Sequence, residues 1–281
     1  MLDDPAAPLA PGGAALVTGA SSGIGAALAH ALAARGLNLL VTARPEEAAA
    51  LEQLATDLTA QHGVRCVAVP ADLAEPAAVD ALAAAAAEHR LVPDVLVNAA
   101  GVGSAGPFTG ATAAAQQRIL EVNVDAVVRL THHFAAGMAE RRRGAVITIA
   151  STAAFQPQPY FAVYAASKAF LLRFGEALWA ELRGSGVRVV TVVPGAVAPP
   201  GEQRAEGPVR DFLKRRYLTA DQVAARSLEA VERGRPVVVL RMPVLGGAAY
   251  ATRAAVGAVL PRHVRLGLAE RLNRWYFERT G

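Results

Sequence analysis

The chain has a single cysteine among its 281 residues, Cys66, so no intrachain disulfide can form and a reducing compartment is expected. Cys66 stands inside an apolar run, residues 64–69, and reads as a buried structural thiol rather than a nucleophile. Aromatic residues are scarce at 5%, too few for a surface that stacks on bases, so nucleic acid is set aside as a partner. Long apolar runs are missing as well. The nearest to a membrane span, residues 244–260, carries Arg253 and falls short of the roughly 20 residues a span requires. The N-terminus lacks the basic-then-apolar order of a signal peptide. A cytoplasmic protein without a transmembrane segment is therefore expected. Two catalytic arrangements are also absent. There is no Gly-x-Ser-x-Gly elbow, and no histidine follows Ser151 before His263, which argues against a serine hydrolase. His132 and His133 are adjacent and point to different sides of one helix, and no Cys/His set has metal-ligand spacing.

Apolar residues are plentiful, at 53% against 19% charged, enough for one large core in one α/β domain. The net charge of +4 is unevenly placed: from Arg204 onward, Lys and Arg outnumber Asp and Glu 15 to 7. This basic third is read as a solvated face, with an anionic substrate, a partner or a membrane surface as alternatives. Short β-branched runs at residues 14–17, 38–42, 64–69, 95–97, 145–149, 187–192 and 236–240 read as strands buried on both faces. Ala/Leu-rich stretches between them, at 24–35, 46–62, 76–89, 112–142, 160–183 and 220–234, read as helices. The alternation predicts a Rossmann-type, doubly wound parallel sheet of about seven strands with helices on both faces. Residues 1–13 read as a flexible Pro/Ala-rich lead-in, 14–241 as the dinucleotide-binding and catalytic domain, and 242–281 as a basic extension. Within the domain, Pro and Gly break the segment of about 195–217, the expected substrate lid.

The first strand runs into Thr18-Gly19-Ala20-Ser21-Ser22-Gly23-Ile24-Gly25 and then a helix. Glycines there let backbone amides approach a pyrophosphate at a helix N-terminus, where the dipole favours an anion. With Thr-Gly-x-x-x-Gly-x-Gly in this position, the chain resembles the single-domain short-chain dehydrogenases/reductases, and the matching motifs run in the family's order from residue 14 to about 240. The resemblance implies cofactor contacts from Gly19, Ser21, Ser22, Gly23, Ile24 and Gly25. It places Asp72 and Leu73 against an adenine ring. It reads Asn98-Ala99-Ala100-Gly101 as the family's Asn-Asn-Ala-Gly motif with Ala99 substituted, so that Asn98, Ala99 and Gly101 line the cofactor.

The second strand ends Val41-Thr42-Ala43-Arg44. An NAD-preferring fold usually presents an acid near this point to the ribose hydroxyls. Ala43 removes that carboxylate, and the Arg44 guanidinium can grip a 2′-phosphate, so NADP(H) is the expected cofactor. After the sixth strand, Pro194, Gly195 and Val197 match the family's Pro-Gly-x-Val-x-Thr, with Pro199 in place of the threonine. Proline offers neither hydroxyl nor N–H, so a looser or differently anchored nicotinamide is expected.

Tyr164 and Lys168, four residues apart, project from one helical face. A nearby ammonium favours a phenolate, so Lys168 is expected to lower the Tyr164 pKa. Ser151, thirteen residues before Tyr164, can donate to a developing oxyanion. The resemblance adds Asn123 as the fourth catalytic member and gives Lys168 the nicotinamide ribose hydroxyls. Phe155, Gln156 and Tyr160, with Ser151 and Tyr164, are expected to line the substrate pocket, joined by Phe108 and Phe212 from loops. Arg204 and Arg210 of the lid could meet an anionic substrate. The expected function is NADPH-dependent reduction of a ketone or aldehyde, with a small-molecule carbonyl or alcohol as substrate and a homodimer or homotetramer as the assembly. The alternative is a catalytically silent NADP(H)-binding protein that acts by associating with a partner or a membrane surface.

Overall fold

Seven runs of Val, Leu, Ile and Ala form seven parallel strands of one sheet. They are β1 (Ala14–Thr18), β2 (Asn38–Thr42), β3 (Cys66–Ala68), β4 (Pro93–Asn98), β5 (Gly144–Ile149), β6 (Val187–Pro194) and β7 (Val237–Leu240). The computed structural model describes residues 8–198 and 217–240. Every residue of β1, β4 and β5 is buried, which requires helices on both faces of the sheet. The strand order is β3-β2-β1-β4-β5-β6-β7. The chain first winds outward to β3 and then returns to place β4 against β1. The C-terminal ends of these two strands flank the point where the winding reverses, the usual ligand crevice of such sheets.

The helices are α1 (Gly23–Ala33), α2 (Ala48–His62), α3 (Ala78–Glu88), α4 (Ala113–Leu120), α5 (Ala126–Glu140), α6 (Ala162–Glu181) and α7 (Ala220–Glu232). Leu28 and Leu32 of α1, Leu51 of α2 and Leu228 and Val231 of α7 pack one side of the sheet. Leu82 of α3 and Leu130, Phe134 and Met138 of α5 pack the other.

Several boundaries differ from expectation. The helix expected over 112–142 is broken into α4 and α5 by a π-helical turn, Glu121–Asp125. The one expected over 46–62 starts as a 3₁₀ turn, Pro45–Glu47, where the proline sits at the first helical position and lacks only an unused donor. Strand β3 is short, and Cys66 is half-buried rather than fully enclosed. Burial pushes its thiol up to about 12, which leaves it without thiolate character at neutral pH. From Pro8 on, the lead-in is not loose: Leu9 is buried in the core, and the Gly12 N–H donates to the Gly36 carbonyl at 2.9 Å.

The ends of the expected lid are tied together. Val197 pairs with Leu218, with 3.0 Å bonds from the Ala198 N–H to the Leu218 carbonyl and from the Leu218 N–H to the Ala196 carbonyl. Pro199, Arg204, Arg210 and Phe212 lie outside the described residues, as does the extension 242–281. No helix among the described residues is long and apolar enough to cross a membrane.

Candidate active site

The cleft begins where β1 ends. The Thr18 hydroxyl donates to the Val97 carbonyl and accepts from the Ala99 and Ala100 N–H groups, all at 3.1 Å, stapling the loop after β4 to the loop after β1. That close approach is why residue 19 is glycine: a Cβ there would come within 2.8 Å of the Ala100 backbone, and φ is +65°. A Cβ on Gly25 would run into the Gly19 carbonyl, so this pair lets α1 start directly under the turn. Ser22, at the N-cap of α1, makes no capping bond with its side chain. Amides and hydroxyls at a helix N-terminus thus face an open crevice, a ready anion site.

This crevice is a cleft of about 410 Å³. Gly19, Ser21, Ser22, Ile24 and Gly25 form one wall, and Ala99, Ala100 and Gly101 the facing one. Ala43 and Arg44 after β2, and Asp72 and Leu73 after β3, close the far end. Two residues absent from the expected site complete that end: Glu47 and Arg118. The Glu47 carboxylate accepts from Arg44 Nη2 at 3.3 Å and Nε at 3.4 Å. Arg118 Nη2 donates to both Asp72 oxygens, at 3.0 and 2.9 Å. Burial alone would raise the Asp72 carboxyl, but the Ala74 N–H and Arg118 outweigh it and hold it below the usual range. The glycine turn, a crevice walled by backbone and a far end that carries two arginines fit a dinucleotide.

The expected reacting groups gather around the start of α6. Ser151 precedes a 3₁₀ turn, Thr152–Phe155, and its hydroxyl accepts from the Ala153 N–H at 3.2 Å. Lys168 is buried; its Nζ donates to the Ile149 carbonyl at 3.0 Å and lies 5.7 Å from the centre of the Tyr164 ring. Burial lowers its ammonium to about 8. Burial likewise raises the Tyr164 phenol, an effect the Ser151 hydroxyl bonded to it partly offsets. The expected lowering of Tyr164 by Lys168 does not prevail here: desolvation dominates, and the net direction is upward.

Asn123 is fully buried in the π turn. Its Nδ2 donates to the Val102 carbonyl at 2.9 Å and to Ser167 Oγ at 3.0 Å, and its Oδ1 accepts from the Val102 N–H at 2.9 Å. Ser167 passes the chain on, donating to the Tyr164 carbonyl at 2.7 Å. The widened turn thus ties the loop after β4 to α6. Gly101 and Gly103 make that loop fit. A Cβ on Gly101 would sit 3.4 Å from both Lys168 Nζ and Asn123 Oδ1, and one on Gly103 would sit 3.3 Å from the Tyr164 ring.

Other expected residues fall elsewhere. The Asn98 amide turns away from the cleft, donating to Thr131 at 3.1 Å and Thr148 at 3.4 Å, so it braces β4 instead of lining the crevice. Phe155 and Gln156 line a separate groove of about 550 Å³ with Ala162, Ala166 and Ala169 of α6. At about 100° per residue those alanines lie on the opposite side of α6 from Tyr164, so this groove is not the pocket in front of the phenol. Tyr160 has a φ of +68°, and its carbonyl accepts from the Gly106 N–H at 2.9 Å, which fixes the bend entering α6. Phe108 is 62% exposed in a 3₁₀ turn. Pro194 ends β6, and the Gly195 N–H donates to the Leu240 carbonyl at 2.7 Å.

A doubly wound sheet with a glycine cradle at its switch point, and serine, tyrosine and lysine on the adjoining rim, defines a protein of the dinucleotide-fold class. Residues 13–207 match the family described as short chain dehydrogenase, and the chain belongs to that family. It is 31% identical over 237 residues to the probable oxidoreductase EphD of Mycobacterium tuberculosis, covering 79% of this chain but 40% of that protein, so it spans about two-fifths of that relative's length. It is 30% identical over 264 residues to the ketoacyl reductase HetN of Nostoc, covering 93% of this chain and 88% of the relative. Among solved structures, L-sorbose reductase from Gluconobacter frateurii, in complex with NADPH and L-sorbose, superposes with a TM-score of 0.75 at 28% identity, covering 84% of this chain and 97% of that one.

Proposed function

We propose that the protein reduces a ketone or aldehyde with NADPH. The observation that carries this reading is the meeting of two features along one cleft wall: a far end where Ala43 and Arg44 follow β2 with an acid at neither position, and a loop whose Gly101 and Gly103 lie against Lys168 and Tyr164, beside Ser151. Likeness to a ketoacyl reductase and to a reductase crystallised with NADPH supports it.

The cradle from Gly19 to Gly25 would hold the pyrophosphate, Asp72 and Leu73 the adenine side, Arg44 the 2′-phosphate, and Lys168 the nicotinamide ribose, with Pro194, Gly195 and Val197 at the nicotinamide end. A bound reduced nicotinamide supplies a hydride to the carbonyl carbon. The chain's own groups manage the oxygen. Burial keeps Tyr164 protonated at neutral pH, which is the form a proton donor needs. Ser151 offers a hydrogen bond to the same oxygen as charge builds on it. Lys168, fixed on the Ile149 carbonyl, holds positive charge beside the ring and so stabilises the phenolate once its proton has left. Asn123 acts through Ser167 and Val102, setting where α6 stands relative to the loop after β4. A homodimer or homotetramer is carried over from the family resemblance, and light scattering after size exclusion tests it.

The direct test is NADPH oxidation with a panel of ketones and aldehydes. The wild type turns over at least one of them, and Tyr164→Phe loses about 100-fold or more in kcat while still binding NADPH. Equal turnover in that variant would remove Tyr164 from the mechanism.

A further inference from the structure

The far end of the cleft carries more acid than Ala43 alone suggests. Ala43 removes a carboxylate from the end of β2, but Glu47 returns one to the same wall a turn later. Its position is built in: Pro45 opens the 3₁₀ turn, the Glu47 N–H donates to the Arg44 carbonyl at 2.9 Å, and the i,i+3 spacing sets carboxylate against guanidinium. Both the Nε and the Nη2 of Arg44 are engaged, the fork that would otherwise meet a phosphate. Asp72 and Glu46 add their negative charge to the surroundings of Arg44. Arg118, the other cation on this wall, is committed to Asp72.

We propose that Glu47 is a specificity-determining residue: its carboxylate competes with a 2′-phosphate for Arg44 and holds the preference for NADPH over NADH below what Arg44 alone would give. The proposal rests on the NADPH reading above. Binding the phosphate requires Arg44 to leave or share Glu47 and sets two anions side by side, while a ligand without that phosphate meets neither demand. The pair is about half exposed at Arg44 and one-third at Glu47, so the competition is moderate and the cleft stays able to take both nucleotides.

The test is calorimetric titration of the full chain with adenosine 2′,5′-bisphosphate and adenosine 5′-monophosphate, ligands that need no turnover. Glu47→Gln, similar in size and unable to ionise, is expected to tighten the bisphosphate by about three- to tenfold and leave the monophosphate within about twofold. In an Arg44→Ala background the same change is expected to give a smaller gain than in the wild type, because the competition has lost its object and only the repulsion between carboxylate and phosphate is left to relieve. Unchanged or weaker bisphosphate binding in Glu47→Gln overturns the proposal, the latter by showing that Glu47 positions Arg44 instead of competing for it. If Arg44→Ala weakens the bisphosphate while Glu47→Gln alters nothing, only this inference fails. If the wild type binds both ligands alike and Arg44→Ala changes neither, the NADPH reading fails with it.

Discussion

The two ends of the cleft are built differently. At the Tyr164 end, Asn123, Ser167 and Lys168 are buried, and hydrogen bonds of 2.7–3.0 Å join them to the backbone of Val102, Ile149 and Tyr164. At the Arg44 end the contacts are ion pairs between partly exposed side chains. Burial makes each bond at the first end costly to lose, since an orphaned polar group there cannot turn to water. Solvent at the second end screens each pair and makes it cheap to exchange. The Tyr164 end is therefore fixed in position, while the Arg44 end can be retuned by single substitutions with little damage to the fold.

Substitutions at each end sharpen that contrast. The largest expected effect is at Lys168. Its ammonium is lowered by burial from a usual 10.5 to about 8, so between those values the folded chain binds fewer protons than the unfolded one, and stability rises with pH across that window. Lys168→Met should remove this penalty and raise stability near pH 7 by on the order of 3 kcal/mol, less the loss of the Ile149 bond. The gain should disappear as pH approaches 10.5, a trend that melts at several pH values will show. The same variant should lose about 100-fold or more in kcat, and the wild-type reduction rate should fall as pH rises through about 8. Next is Asn123→Ala, which strands the Val102 backbone groups in the interior and should cost about 2–4 kcal/mol in denaturant unfolding. The smallest effect belongs to the exposed end. Arg118→Ala frees Asp72 and should weaken NADPH binding by about three- to tenfold with a shift in melting temperature too small to matter. If Arg118→Ala instead unfolded the chain, the proposed difference between the ends would be gone.

Local chemistry was legible in the sequence; long-range partnership was not. Gly19 and Gly25 announce a tight strand-to-helix turn because only residues without a Cβ fit it, and Tyr164 and Lys168 share a face by spacing alone. The seven strands were visible as uniformly apolar runs. The π turn was hidden, because the register slip at Asn123 is stabilised by bonds to Val102 and Ser167, 21 and 44 residues away in the chain. Arg118 was missed for the same reason: its partner Asp72 is 46 residues distant. Phe155 and Gln156 follow Ser151 closely in sequence, yet they line the groove on the far side of α6, because the 3₁₀ turn after Ser151 redirects the chain. Leu9 looked like part of a loose leader, and only the packed structure reveals the apolar niche it fills.

In the proposed mechanism hydride and proton meet at one carbonyl in front of Tyr164. The measurement that reaches it most directly is reduction of a ketone with NADPH deuterated at the nicotinamide C4, with the alcohol product read by mass spectrometry. That mechanism gives one deuterium on the carbinol carbon, delivered from a single face of the nicotinamide, in the wild type and no labelled alcohol above background with Tyr164→Phe. Alcohol formed without deuterium from either C4 position, or labelled alcohol made equally well without the Tyr164 hydroxyl, would contradict it.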